Sequence, residues 1–145
     1  NTLRLEATRL DNVGGTLASQ QDLNIDVSGA LDNTSGLLSS ESALTINAAS
    51  LQNVSGSLSS ADAMNVTTVG VLNNQSGSVT TDATLTLNSA SLYNSHAGKI
   101  AGKGATQVIT GTFDNSQGRL TSSDTLQLTA GKVINQNAGR IASAL

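Results

Sequence analysis

No cysteine, proline or tryptophan occurs in the chain, and phenylalanine, tyrosine, methionine and histidine occur once each. Without cysteine there is neither a disulfide framework nor a thiolate zinc site. A core without aromatics has to be thin and filled by aliphatic side chains, which suits a narrow tube stacked in one dimension better than a globule. Charge is scarce as well: 12% of residues are ionisable and the formal net charge is −3, so there is no polybasic footprint for nucleic acid. Nor is there an apolar run of the roughly 18 residues that a membrane span needs.

What fills the 145 residues instead is glycine, serine, threonine, asparagine and alanine around a recurring Leu-x-Asn. Its copies begin at Leu10, Leu31, Leu51, Leu72, Leu92, Phe113 and Val133, spaced by 20 or 21 residues. Three columns keep step with it: Asn12, Asn33, Asn53, Asn74, Asn94, Asn115 and Asn135; a Gly running from Gly15 to Gly139; and an aliphatic running from Leu17 to Ile141. A period of this length and regularity marks a solenoid. The whole chain, 1–145, reads as a single repeat segment.

Within each repeat the apolar residues alternate, as in Leu23-x-Ile25-x-Val27 and Leu126-x-Leu128-x-Ala130. Period two is the strand signal. Three short strands per repeat are predicted, over Leu-x-Asn, Gly-x-Leu-x-Ser and Leu-x-Leu-x-Ala, with a turn between each. Asn-x-x-Gly fits a four-residue β-turn, the Gly tolerating positive φ. Asn94 to Gly98 and Asn135 to Gly139 carry one extra residue, which marks that corner as the place where insertions are confined. Stacked coils put equivalent residues about 4.8 Å apart. The Asn column then forms a structural ladder, amide to amide; the alternative is a row of solvated turn residues.

Leucine-rich repeats need Leu-x-x-Leu-x-Leu, calcium-binding nonapeptides need Gly-Gly-x-Gly-x-Asp, and a left-handed hexapeptide helix needs a multiple of six; none fits. A right-handed parallel β-helix of about seven coils, all-β and about 30 Å long at the sheet spacing, is the fold predicted. Leu-x-Asn-x-x-Gly-x-Leu-x-Ser followed by Leu-x-Leu-x-Ala also resembles the haemagglutinin repeat of filamentous haemagglutinin and of contact-dependent growth inhibition exoproteins. That resemblance covers essentially the whole chain. It implies a β-helical filament, exported through an outer-membrane two-partner secretion transporter and held at the Gram-negative cell surface. Thr106, where other repeats carry an apolar residue, lies near the extra Gly102 and Gly104, and that coil is predicted to be the least well packed.

Candidate chemistry is sparse. His96 beside Ser95 gives adjacent residues, not a nucleophile with a convergent base. Asp22, Asp62, Asp82 and Asp124 fall at the corner after Gly-x-Leu-x-Ser and read as turn caps rather than paired catalytic acids. Sequons occur at Asn33, Asn53, Asn65 and Asn74, three of them coinciding with the ladder column. No catalytic, cofactor-binding or metal residue is assigned. Lys99, Arg119 and Arg140 each follow a column Gly in the basic C-terminal third, and are predicted to line up on one face. They could meet a polyanion such as an acidic polysaccharide, or simply form a solvated edge that limits lateral strand pairing.

Three functional readings result: a stalk segment of a surface-displayed exoprotein carrying a distal receptor-binding or toxin-delivery region, an adhesin surface using the three cations, and, remotely, a polysaccharide-active enzyme. Both ends fall within a repeat and neither departs from its pattern. The chain therefore reads as a piece of a longer filament, and end-to-end self-stacking of the excised segment is expected.

Overall fold

The structure is a computed structural model that describes residues 1–145. It is all-β, with 18 strands and no helix, so no helix crosses a membrane. Every strand pairs in parallel with its equivalent one coil away, in the register set by the sequence columns: Leu23 faces Leu44, Leu31 faces Leu51 and Leu38 faces Leu58. Parallel crossovers take the right-handed sense in nearly all proteins, the sense predicted for this coil. Two sheets result. One of seven strands runs from Thr16–Ser19 to Arg140–Ser143, and the other, of eleven strands, takes in the remaining strands of each coil.

The alternating strands turn one set of side chains into the tube. Leu31, Leu51, Leu72, Leu92 and Phe113 form one fully buried file, and Leu38, Leu58, Val79, Ile100 and Leu120 form another. Each buried aliphatic is worth about 1.5–3 kcal/mol relative to exposure, and each file continues from coil to coil in register. The corners stack too. Ser35 N–H donates to the Val54 carbonyl at 3.0 Å and Gly29 N–H to the Thr8 carbonyl at 2.8 Å, so the ladder of backbone hydrogen bonds continues around the bends.

Two features differ from the sequence expectation. Three separate strands per repeat hold only in the early coils. Later, the third strand runs straight into the first of the next repeat, as Leu85–Tyr93, Thr106–Asp114 and Leu126–Ile134. A single small residue, Ala90, Gly111 or Gly131, makes the bend there, and the extended backbone passes through without a turn. Gly111 shows why the residue is small: a Cβ would lie 2.6 Å from the Ala90 carbonyl oxygen of the coil before.

Insertions are also not confined to the Asn turn. At this same bend Ser28-Gly29 and Val69-Gly70 hold two residues where Ala49 holds one. The 20-residue coil is thus the base unit. It is lengthened at the bend by Ser28 and Val69 and at the Asn turn by one residue in the fifth and seventh repeats. Val69 stands out at 82% exposed, because an added residue at a parallel stack can only bulge outward.

A buried amide ladder beneath a cationic face

Each asparagine of the column enters the tube at the end of a short Leu-x-Asn strand. Asn33, Asn53, Asn74, Asn94 and Asn115 are fully buried. Their amides form one chain: Nδ2 of Asn12 donates to Oδ1 of Asn33 at 2.8 Å, Asn33 to Asn53 at 2.8 Å, Asn53 to Asn74 at 2.7 Å, Asn74 to Asn94 and Asn94 to Asn115 at 2.8 Å, and Asn115 to Asn135 at 2.9 Å. All donors point toward the C-terminus. The second N–H of each of the six donating amides, from Asn12 to Asn115, reaches a strand carbonyl on the next coil, including those of Lys99, Arg119 and Arg140 at 3.1, 2.9 and 2.9 Å. No buried side-chain nitrogen or oxygen anywhere in the chain lacks a partner.

The column glycine has a different purpose from the one predicted. Positive φ belongs to the residue before it, at Gly14, Ser35, Ser55, Ser76 and Gln117. The glycine itself is needed for space. A Cβ on Gly56 would lie 2.2 Å from the Asn33 carbonyl oxygen and 2.5 Å from Oδ1 of Asn53, and the other column glycines are similarly enclosed. Where the turn has an extra residue, two successive residues take positive φ, His96 with Ala97 and Asn137 with Ala138.

The position before the column Asn went unread in the sequence. Asp11, Asp32, Asn73 and Asp114 each accept a hydrogen bond from the backbone N–H two residues on, closing the turn entrance at 3.0–3.1 Å. At Asp32 the Thr34 hydroxyl adds a bond at 2.6 Å. That hydroxyl, and then the Thr34 N–H, hold the Asp32 carboxyl below the usual aspartate range. An acid or amide two residues ahead of an unpaired turn N–H was the available signal.

At the opposite corner a file of inward hydroxyls satisfies the bend carbonyls, with Ser40 donating to Gln21 O and Ser60 to Asp62 O, both at 2.7 Å. The fifth coil breaks the file at Gly102, and Thr106 compensates. A Cβ on Gly102 would lie 2.4 Å from Thr106 Oγ1, so the threonine hydroxyl occupies the place of the missing serine and donates to Gly104 O at 3.3 Å. Thr106 and Gly102 are both buried. The two departures from the repeat are one exchange.

The acids at this corner cap or pair locally. Asp22 accepts from Ala43 N–H, Asp62 from the Ser42 hydroxyl and Asp124 from Thr125 N–H, and Asp82 pairs with Lys103 at 2.7 Å. No three His, Cys, Asp or Glu side chains converge as a metal site. His96 Nδ1 meets the Ser95 hydroxyl at 3.0 Å, and that hydroxyl also accepts from Gln75 Nε2 at 3.1 Å, which leaves it fixed in a turn.

On the seven-stranded sheet Lys99 pairs with Arg119 and Arg119 with Arg140, directly opposite one another and exposed. The chain's two ion pairs, Arg4–Glu6 and Lys103–Asp82, do not involve them. One shallow trough lies on each side of the file. The first, about 430 Å³, is bounded by Lys103 and Asp82 on its far rim, with Ala101 and Thr121 between; the second, about 380 Å³, runs over the turn backbones at Ala97, Gly98, Gln117 and Gly118. Both are open and polar. They offer cations, hydroxyls and, on the far rim of the first, the Asp82 carboxylate paired with Lys103, but no enclosed cleft.

Among known families, the one described as haemagglutinin repeat matches residues 1–35, 32–89 and 76–144. No curated protein and no solved structure gives a match.

Proposed function

The chain belongs to the haemagglutinin repeat family, and on that premise we propose that it is a stalk segment of a large, surface-displayed exoprotein whose receptor-binding or toxin-delivery region lies elsewhere in the parent. The family is one of secreted and surface exoproteins with a two-partner secretion context. Contact-dependent growth inhibition proteins are one setting for such a segment, and the outer-membrane transporter of that route is the partner this reading implies.

The observation that carries it is the uniformity of the coil. Strands stay in register through every repeat, corner insertions amount to single residues, and no loop grows into a lid or groove wall. Such a coil converts chain length into reach at about 4.8 Å per 20 or 21 residues. A spacer needs nothing more. The role is mechanical and non-catalytic.

The test is to replace residues 1–145 within the parent exoprotein by the same number of coils built from residues 31–50 alone. Export and target-cell binding are expected to persist, because only length matters. Loss of binding with export intact would assign a specific role to this segment and overturn the spacer reading.

A further inference from the structure

We propose that the chain binds a second copy of itself side by side, the Lys99, Arg119 and Arg140 file of one copy lying against the acidic corner of its neighbour at Asp22, Glu41 and Asp62. This goes beyond the spacer role and does not depend on it.

Charge is separated along the rod. Residues 1–90 hold two basic and eight acidic side chains, and residues 91–145 hold five basic and two acidic. The file occupies the last three coils, with like charges directly opposite on neighbouring strands, and neither ion pair of the chain draws on it. Such an arrangement repels itself. The same column in the first four coils holds Thr16, Leu37, Ser57 and Ser78, so the fold does not require cations there.

Acids hold the other margin of the same sheet. Asp22, Glu41, Asp62 and Asp82 stand on four successive coils, one to three residues past the buried hydroxyls of Ser19, Ser40, Ser60 and Thr81. Glu41 N–H donates to the Ser19 carbonyl at 2.9 Å and Asp82 N–H to the Ser60 carbonyl at 3.1 Å, so the corner advances with the sheet. Glu41 and Asp62 are exposed and pair with no cation, whereas Lys103 takes Asp82 and ends the ridge. Asp124, the acid of this corner among the basic coils, turns to the Thr125 N–H at 2.7 Å. Within one copy the file and the ridge occupy different coils.

Pitch selects the partner. Cations and acids both ride on parallel stacks that advance about 4.8 Å per coil, so all three pairs close together only against a surface of that same spacing. A shift of four coils brings the last three coils of one copy beside the first three of the next. The trough of about 430 Å³ beside the file admits the corner, because Ala101 and Thr121 along it are small. A two-fold antiparallel pair would bring equal margins together and a two-fold parallel pair equal coils, and neither joins file to ridge. The contact is therefore heterologous, and each pair leaves one file and one ridge free for further copies.

The experiment follows sedimentation of the 145-residue chain over a concentration series at low and high salt. One variant makes the ridge basic with Glu41→Lys and Asp62→Lys; another makes the file acidic with Lys99→Glu, Arg119→Glu and Arg140→Glu. A control with the net charge of the first carries Glu6→Lys and Asp26→Lys, both exposed on the larger sheet. The wild type and the control are expected to associate beyond the dimer at low salt and to separate as salt screens the contact. Either variant alone should associate about tenfold more weakly or worse, and an equimolar mixture of the two should recover, because basic ridge then meets acidic file. A wild type that shows no salt-sensitive association, variants that associate as the wild type does, a mixture that does not recover, or a control as weak as the first variant overturns the proposal. Association by end-to-end stacking alone falls among these outcomes, since it ignores both salt and the side-facing charges. Circular dichroism and the denaturant midpoint of each variant separate misfolding from lost affinity.

Discussion

At the scale of single residues, the strongest constraint lies on the amide ladder, because each Asn is donor and acceptor at once in a dry interior. Asn53→Ala leaves Asn33 Nδ2 without its acceptor and Asn74 Oδ1 and the Ser78 carbonyl without their donor. Groups stranded in this way cost about 1–3 kcal/mol each, so a loss of several kcal/mol in urea unfolding is expected. Asn53→Asp keeps the shape but not the donor. Burial raises the folded carboxyl above its unfolded value, so the penalty relative to wild type is smallest below about pH 4 and grows as the pH rises through the folded pKa.

Asp32 has the opposite sign. Its folded carboxyl is depressed, so its contribution is full above the unfolded aspartate value and is lost as the pH falls through the folded one. The difference in midpoint between wild type and Asp32→Ala should therefore close under acid conditions. The glycines separate two causes in the same way. Gly56→Ala meets a carbonyl at 2.2 Å and should be severely destabilising, whereas Gly14→Ala has nothing within 4 Å and only its φ of 64° to oppose it, a cost of about 1–2 kcal/mol.

Elements are legible in the sequence to the extent that a column repeats. The file of leucines, the register and the alignment of Lys99 with Arg119 and Arg140 all follow from spacing, since parallel stacking turns sequence period directly into proximity. The bend holding Ser28 and Val69 did not show, because aligning on Leu-x-Asn absorbs an insertion just ahead of it. Nor did the reason for the column glycine, which depends on a carbonyl from the coil before and so on a distance no single repeat contains. The Gly102 and Thr106 exchange was visible as two oddities but not as one. Its test is a double-mutant cycle. Gly102→Ser alone collides with Thr106 Oγ1, and Thr106→Leu alone removes the hydroxyl that replaces the serine. Together they restore the common repeat, so the double variant should be more stable than either single one, with a coupling of about 1 kcal/mol or more.

For the whole molecule, stability is shared between neighbouring coils, and the outermost coils have only one neighbour. Leu3 at 37% and Val133 at 45% exposure continue files that are sealed further in. In a protein of these 145 residues, amide exchange should be slowest between about residues 44 and 113 and fastest in the first and last half-coils. Sedimentation should show head-to-tail association rising with concentration. A monomeric rod with uniformly slow exchange would refute both expectations.

The one-way ladder also gives the rod a means of checking its own assembly. Each finished coil presents an amide hydrogen facing forward into a space that only a carbonyl in the right place can fill. A coil laid down one residue out of step would turn its asparagine outward and its charges or hydroxyls inward. The amide below would then be left open in a dry interior, so the fault would be felt at the coil where it occurred. Six successive closures of that kind make the chain a tally that cannot miscount silently, however many similar sentences it contains.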